Sequence, residues 1–164
     1  MHRYGTTDAL SGVTQFFRRI LCPIELEAKS VTALQVAAGL AACDGAEVCI
    51  VHVVTPRLPR PLEPVPDWEK TVKDRLQRIA DRYFRDRRCE TLLVQGEPPK
   101  AIIGAAEDFE ADLIVMATHG HTGLNRALLG STTERVVRES PVPVLTVNPK
   151  QHSAQSRHKG KSEK

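Results

Sequence analysis

The sequence predicts an α/β fold, a doubly wound five-stranded parallel sheet with helices on both faces. Three observations carry this prediction. Five short segments rich in apolar and β-branched residues occur at 19–24, 47–55, 89–95, 113–118 and 142–147. They run nearly continuously apolar where a half-solvated strand would alternate, which marks strands covered on both faces. A segment with helical spacing lies in each gap between them, so the order is β-α-β-α-β-α-β-α-β. Right-handed crossovers close such an order into a doubly wound sheet.

The first strand is expected over Arg19 to Ile24, through Ile-Leu-Cys-Pro-Ile. A helix follows from Ser30 to Ala42, with Ser30 as N-cap and Val31, Leu34, Ala38 and Ala41 on one face. Its alanines suit close packing on a sheet. Glu47 to Thr55 contains Val-Cys-Ile-Val-His-Val-Val and reads as the second strand. Pro56, Pro59, Pro61, Pro64 and Pro66 then exclude regular structure. Asp67 opens a long helix in which Trp68, Val72, Leu76, Ile79 and Tyr83 form one apolar stripe, with Arg and Lys solvated on the other face.

Cys89 to Gln95 is the third strand, ended by Gly96. Pro98 and Pro99 fit the first turn of a helix that continues through Ile102, Ile103 and Ala106 to Phe109. Leu113 to Thr118 is the fourth strand and Ser131 to Glu139 the last helix. Val142 to Val147, with Pro141 and Pro143 at its start, is a fifth strand expected at a sheet edge.

Composition bounds the rest. At 164 residues, 41% hydrophobic and 26% charged, the chain suits one soluble domain, expected over residues 17–149. It contains no apolar run of the roughly 20 residues a membrane helix needs. Residues 1–16 lack the apolar core of a signal peptide and read as a disordered leader. Cys22, Cys43, Cys49 and Cys89 sit in or beside apolar segments without C-x-x-C spacing. They read as buried free thiols of a cytoplasmic protein, not as disulfides or zinc ligands. Residues 150–164 read as a disordered basic tail. Lys150, Arg157, Lys159, Lys161 and Lys164 against Glu163 give this tail +4 of the net +3, leaving −1 for the body. A near-neutral body argues against a specific nucleic-acid groove.

Residues 112–131 carry the functional signal: Asp-Leu-Ile-Val-Met-Ala-Thr-His-Gly-His-Thr-Gly-Leu-Asn-Arg-Ala-Leu-Leu-Gly-Ser. A buried strand runs into a loop with glycines at 120, 123 and 130, and a helix begins at Ser131. Glycines let backbone amides approach a ligand closely, and a helix N-terminus adds unpaired N–H donors and partial positive charge. Together they make an anion site suited to phosphate. In doubly wound sheets ligands bind beyond the strand carboxyl ends where strand order reverses. Pro23-Ile24-Glu25 and Ala117-Thr118-His119-Gly120 place that switch between the first and fourth strands.

Several side chains have plainer readings. His119 and His121, two apart with no third ligand nearby in sequence, fall short of a metal site. His119 is expected to bond the loop backbone and His121 to be exposed. Arg126 suits phosphate, or is a surface charge beside Leu128 and Leu129, which are expected in the core. His52 reads as a hydrogen-bonded core histidine. Ser131 and Glu134 have capping-box spacing, a role compatible with phosphate contact. There is no G-x-x-x-x-G-K-S/T, no G-x-S-x-G, no H-x-G-H and no dinucleotide fingerprint in the first βα turn. No enzyme is expected beyond slow incidental hydrolysis of a bound nucleotide.

Taken together, the sequence resembles the universal stress protein family over about residues 18–148. The resemblance rests on Pro23-Ile24-Glu25, His52-Val53, Gly96-Glu97-Pro98, Asp-Leu-Ile-Val-Met at 112–116, the glycine loop with Gly130-Ser131, and Pro-Val-Pro-Val-Leu-Thr-Val at 141–147. It implies a Rossmann-like, adenine nucleotide alpha hydrolase-like fold. The ATP-binding branch carries G-x-x-G-x9-G-S/T, matched here by Ala117, Gly120, Gly130 and Ser131, with Ala in place of the first Gly. Glu25 stands where Asp is usual, and Glu27 replaces a small polar residue.

By resemblance, Pro23, Ile24, Glu25, Val53, Met116, Ala117, His119, Gly120, Gly130, Ser131 and Thr132 hold the nucleotide. Val53 offers backbone hydrogen bonds to adenine, Met116 lines the base pocket, and Ser131 and Thr132 meet the terminal phosphates. ATP with Mg²⁺ bridging its phosphates is the expected ligand, with no metal held by the protein alone. The implied protein is a cytoplasmic homodimer joined through the last strand, regulating an unidentified protein partner in stress response. Ala117 and the Glu25/Glu27 pair favour a rival reading, a dimeric adaptor that binds no nucleotide. Gly120, Gly130 and Ser131 oppose it. A third reading, adenylate transfer on a related fold, would show as conversion of ATP to AMP and pyrophosphate.

Overall fold

The computed structural model describes residues 15–26, 31–56, 67–85, 88–118 and 129–148. In chain order these form β1 (Arg19–Pro23), α1 (Val31–Asp44), β2 (Glu47–Val54), α2 (Trp68–Tyr83), β3 (Cys89–Gln95), α3 (Pro98–Asp108), β4 (Leu113–Ala117), α4 (Ser131–Glu139) and β5 (Val144–Val147). The five strands form one parallel sheet in the order β3-β2-β1-β4-β5. Strand order therefore reverses between β1 and β4, where the sequence places it, and β5 is an edge.

Alternation along each strand divides the core into two layers. Ile20 and Cys22, Val48 and Ile50, and Leu113 and Val115 face α1 and α2 with Ala33, Leu34, Ala37, Leu76 and Ala80. Leu21, Cys49 and Val51, and Ile114 and Met116 face α3 and α4 with Ile102, Ala105, Ala106 and Val136. Such two-sided burial needs an unbroken apolar run, which Ile20–Cys22 of β1, Val48–Val51 of β2 and Leu113–Met116 of β4 supply. The other edge, β3, is nowhere fully buried.

The structure shifts several boundaries and faces. α1 buries Ala33, Leu34, Ala37 and Ala41, while Val31 and Ala38 are half-buried. The row at 33, 37 and 41 lets small alanines lie flat on the sheet, rotating the packed stripe by about one position from the predicted one. Trp68 opens α2 but is 39% exposed, and Leu76 and Ala80 carry that helix's burial. β5 begins at Val144 instead of Val142, because Pro143 has no N–H to offer the ladder. Its carbonyl accepts from Ile114 N at 3.0 Å and starts the pairing. Of the cysteines, Cys22 and Cys49 are buried and Cys89 is half-buried, but Cys43 is exposed, turned outward by its place on α1. Leu129 is also 39% exposed, because it precedes the helix and lies outside both core layers.

Candidate functional site: a parted strand pair facing an uncapped helix

β1 and β4 pair only at Ile20–Leu113 and Leu21–Ile114. Beyond that each strand keeps its outer partner, β1 pairing β2 as far as Pro23–Val51 and β4 pairing β5 as far as Ala117–Val147. The sheet thus splits at its carboxyl end along the switch point. Pro23 contributes to the parting, since it cannot donate toward β4. A crevice of this kind, floored by strand ends, is where open α/β sheets hold ligands.

α4 rises from one side of this crevice. Gly130 takes its N-cap position, with φ −59 and ψ 148, and no side-chain cap hydrogen bond forms. The expected capping box is therefore absent. The helix starts at Ser131, one residue too early for Ser131 to act as cap, and Gly130 has no side chain to fill that place. With negative φ, Gly130 serves by lacking a side chain, not by left-handed backbone. The first-turn amides at Ser131 and Thr132 keep their partial positive charge for an outside acceptor. Ser131 is exposed and Thr132 half-buried.

Two hydrogen bonds fix this helix end to β4 across the intervening loop. Gly130 N donates to Thr118 O at 2.7 Å. Thr133 Oγ1 donates to Ala117 O at 3.1 Å. Thr133 is buried and is the anchoring position that sequence reading missed. Its signal was the Ser-Thr-Thr run, where the first two hydroxyls drew attention and the third does the anchoring. The Thr118 amide in turn donates to Val147 O at 2.9 Å, tying β5 into the same corner.

The other predicted residues fall into distinct groups. Val53 and Met116 both belong to the α3/α4 side, with Met116 buried in its core and Val53 packed against it. Pro23, two residues from Leu21, shares that side by alternation. Ala117 packs against the α1/α2 layer instead and has no positive φ, so its methyl is accommodated within an ordinary strand end. Ile24 is buried toward α1 and donates its N–H to Val51 O at 2.9 Å. Glu25 follows it and is exposed. His119, Gly120 and Arg126 lie outside the described residues, as do Glu27, Ser30, His121, Leu128 and the segments 1–14 and 149–164.

His52 has the partner expected of a core histidine: Nδ1 lies 2.9 Å from Ile24 O. Glu97, which precedes α3, pairs with Arg135 of α4 and with Lys100 at 3.0 Å. The Arg135 bond, then the Lys100 bond, hold its carboxyl below the ordinary value. Arg135 also reaches Glu139 at 3.3 Å. Among the described residues no group of three or more His, Cys, Asp or Glu could hold a metal ion. No helix there is long and apolar enough to cross a membrane.

The fold and the crevice define a doubly wound α/β protein with an uncapped helix end at its topological switch point. The sequence pattern of the Universal stress protein family matches residues 16–148. The universal stress protein in the QAH/OAS sulfhydrylase 3'region of Thermus aquaticus is 35% identical over 144 residues, 80% of this chain and 98% of that one. In fold, the chain is similar to a universal stress protein crystallised in complex with cAMP, with a TM-score of 0.65 and 23% identity over 81% of this chain and 98% of that one. It is likewise similar to the universal stress protein from Archaeoglobus fulgidus in complex with dAMP, with a TM-score of 0.58 and 22% identity over 79% and 96% of the two chains. The chain belongs to the universal stress protein family.

Proposed function

We propose that this protein binds an adenine nucleotide, ATP in the first instance, in the crevice between β1 and β4, and acts as a regulatory homodimer in stress response. The observation that carries the reading is the uncapped α4 N-terminus, stitched to the end of β4 beside a parted strand pair. Phosphates would meet the first-turn amides and the hydroxyls of Ser131 and Thr132. The base would lie toward Val53, Pro23 and Met116. Two universal stress proteins of the same fold hold cAMP and dAMP, which supports the adenine moiety.

The hydroxyls at the helix start suit a hydrated Mg²⁺ that reaches the protein through the phosphates, since Mg²⁺ keeps several waters and needs no all-protein cage. Bound there, it would neutralise phosphate charge near Glu25. The regulatory reading assigns no catalytic residue. Dimerisation through residues 142–147 is supported by β5 lying at the sheet edge with Leu145 39% exposed and Val137 of α4 43% exposed. Free thiols suit a reducing cytoplasm.

Calorimetric titration with ATP and Mg²⁺ tests the site, using the wild-type protein and Gly130→Asp. The backbone at Gly130 accepts Asp, and Asp is a better N-cap than Gly by a few tenths of a kcal/mol. The variant should therefore be at least as stable while its carboxylate repels phosphate, weakening ATP by roughly a hundredfold, about 2.7 kcal/mol. Equal affinity in the two proteins would remove the phosphates from α4. Absence of binding in the folded wild type would leave the nucleotide-free adaptor, which the exposed carboxylate of Glu25 at the mouth favours.

A further inference from the structure

The end of the β1–β2 ladder contains an interruption made by a side chain. Ile24 N–H still donates to Val51 O at 2.9 Å. Continued by one step, a parallel ladder would add a bond from Val53 N–H to Ile24 O, pairing Ile24 with His52. Pairing instead stops at Pro23–Val51. The Ile24 carbonyl lies 2.9 Å from His52 Nδ1. A carbonyl oxygen only accepts, so Nδ1 carries the proton in this bond, and it does so whether the imidazole is neutral or charged.

The consequence falls on Val53. Main-chain groups of successive strand residues point to opposite neighbours. Val51 O faces β1, and Val54 O faces β3, accepting from Gly96 N at 3.0 Å. Val53 N–H and C=O therefore face the β1 side, where the strand has turned away. A donor and acceptor from one residue, adjacent on the wall of the crevice, match the paired acceptor and donor of an adenine edge.

We infer that His52 is a positioning residue for nucleobase recognition: by capturing the Ile24 carbonyl it ends the β1–β2 ladder and keeps the Val53 main chain open to the base. The inference rests on the nucleotide reading of the crevice and adds a residue to which that reading gives no role. Ile24 is held from three sides, by its buried side chain, by Val51 O and by His52, so the rim it forms is set before any ligand arrives.

The test compares wild type, His52→Leu and His52→Asn, whose side-chain amide can place a donor near Nδ1. Amide hydrogen exchange at Val53, read by NMR without nucleotide, reports the ladder directly. The Val53 amide should exchange freely in wild type and His52→Asn and become protected in His52→Leu. Titrations with ATP and with inorganic tripolyphosphate report the base and the phosphates separately. His52→Leu should weaken ATP by roughly fivefold, the worth of about one hydrogen bond, and leave tripolyphosphate unchanged. His52→Asn should recover most of the ATP affinity.

Unchanged Val53 exchange in a folded His52→Leu, or equal loss of ATP and tripolyphosphate affinity, overturns the inference while the crevice remains a nucleotide site. Failure of the wild type to bind ATP overturns the nucleotide reading and the nucleobase role of His52 with it, and the exchange data then decide only who holds the Ile24 carbonyl.

Discussion

The two ends of the sheet are built on opposite rules. At the amino end, backbone donors before and at the start of β1 are answered by side chains of the same chain. Asp112 accepts from Arg18 N at 2.7 Å and from Arg19 N at 3.1 Å, and Asp44 accepts from Phe17 N at 2.9 Å. Arg19 lies 4.5 Å over the Phe109 ring and also reaches Glu110 at 3.4 Å. Arg88 bonds Glu47 at 2.7 Å, and that bond holds the Glu47 carboxyl below its ordinary value. At the carboxyl end the central strands part, the helix carries no cap, and a histidine interrupts a ladder. Satisfied groups stabilise. Groups left open are what a ligand can use.

Substitutions at the two ends should therefore separate stability from binding. The largest effect on stability is expected from Asp112→Ala, which strands two backbone donors and should cost about 3 kcal/mol in urea unfolding. The fraction that remains folded should bind ATP normally. A parallel fall in affinity would mean that the two ends are coupled, and the contrast would fail.

Thr133→Val keeps the shape and removes the hydroxyl bonded to Ala117 O. It should cost about 1 kcal/mol and, unlike Asp112→Ala, also weaken ATP severalfold by loosening the start of α4. Stability loss with intact affinity would show that the Gly130–Thr118 bond alone sets the helix end.

The smallest effect concerns Arg135→Leu. Glu97 has a depressed carboxyl in the folded protein, through Arg135 first and Lys100 second. Its contribution is present above the unfolded value, near 4.3 for a glutamate, and is lost as pH falls through the lower folded value. Removing Arg135 should move the Glu97 titration, followed by NMR, up toward the ordinary range. Because the pair is exposed, the melting temperature at neutral pH should hardly move. A large drop there would make this surface pair a structural strut between α3 and α4.

Much of this was legible in the residues. The order of elements follows from the apolar runs within β1, β2 and β4, because a stretch covered on both faces has no polar position to spare, and the switch point follows from the residues at the ends of β1 and β4. The glycine at 130 and the hydroxyls after it mark the start of α4. The particulars were not legible. Ser131 and Glu134 keep capping-box spacing, yet the helix begins one residue too early for that box, since Gly130 N–H is drawn back to Thr118 O. His52 reads as an ordinary core histidine until its acceptor is known to be the carbonyl that the next ladder bond would have used. Cys43 sits beside alanines in an apolar helix, and only the rotation of α1 on the sheet exposes it.

The sequence by itself determined the strands, the helices and their handed winding, because these depend on periodicity and on what each residue's backbone allows. Tertiary structure decided which carbonyl His52 occupies, which hydroxyl anchors α4, and where β1 and β4 let go of each other. Those depend on register and on the distance between segments far apart in the chain, and no local pattern encodes a distance.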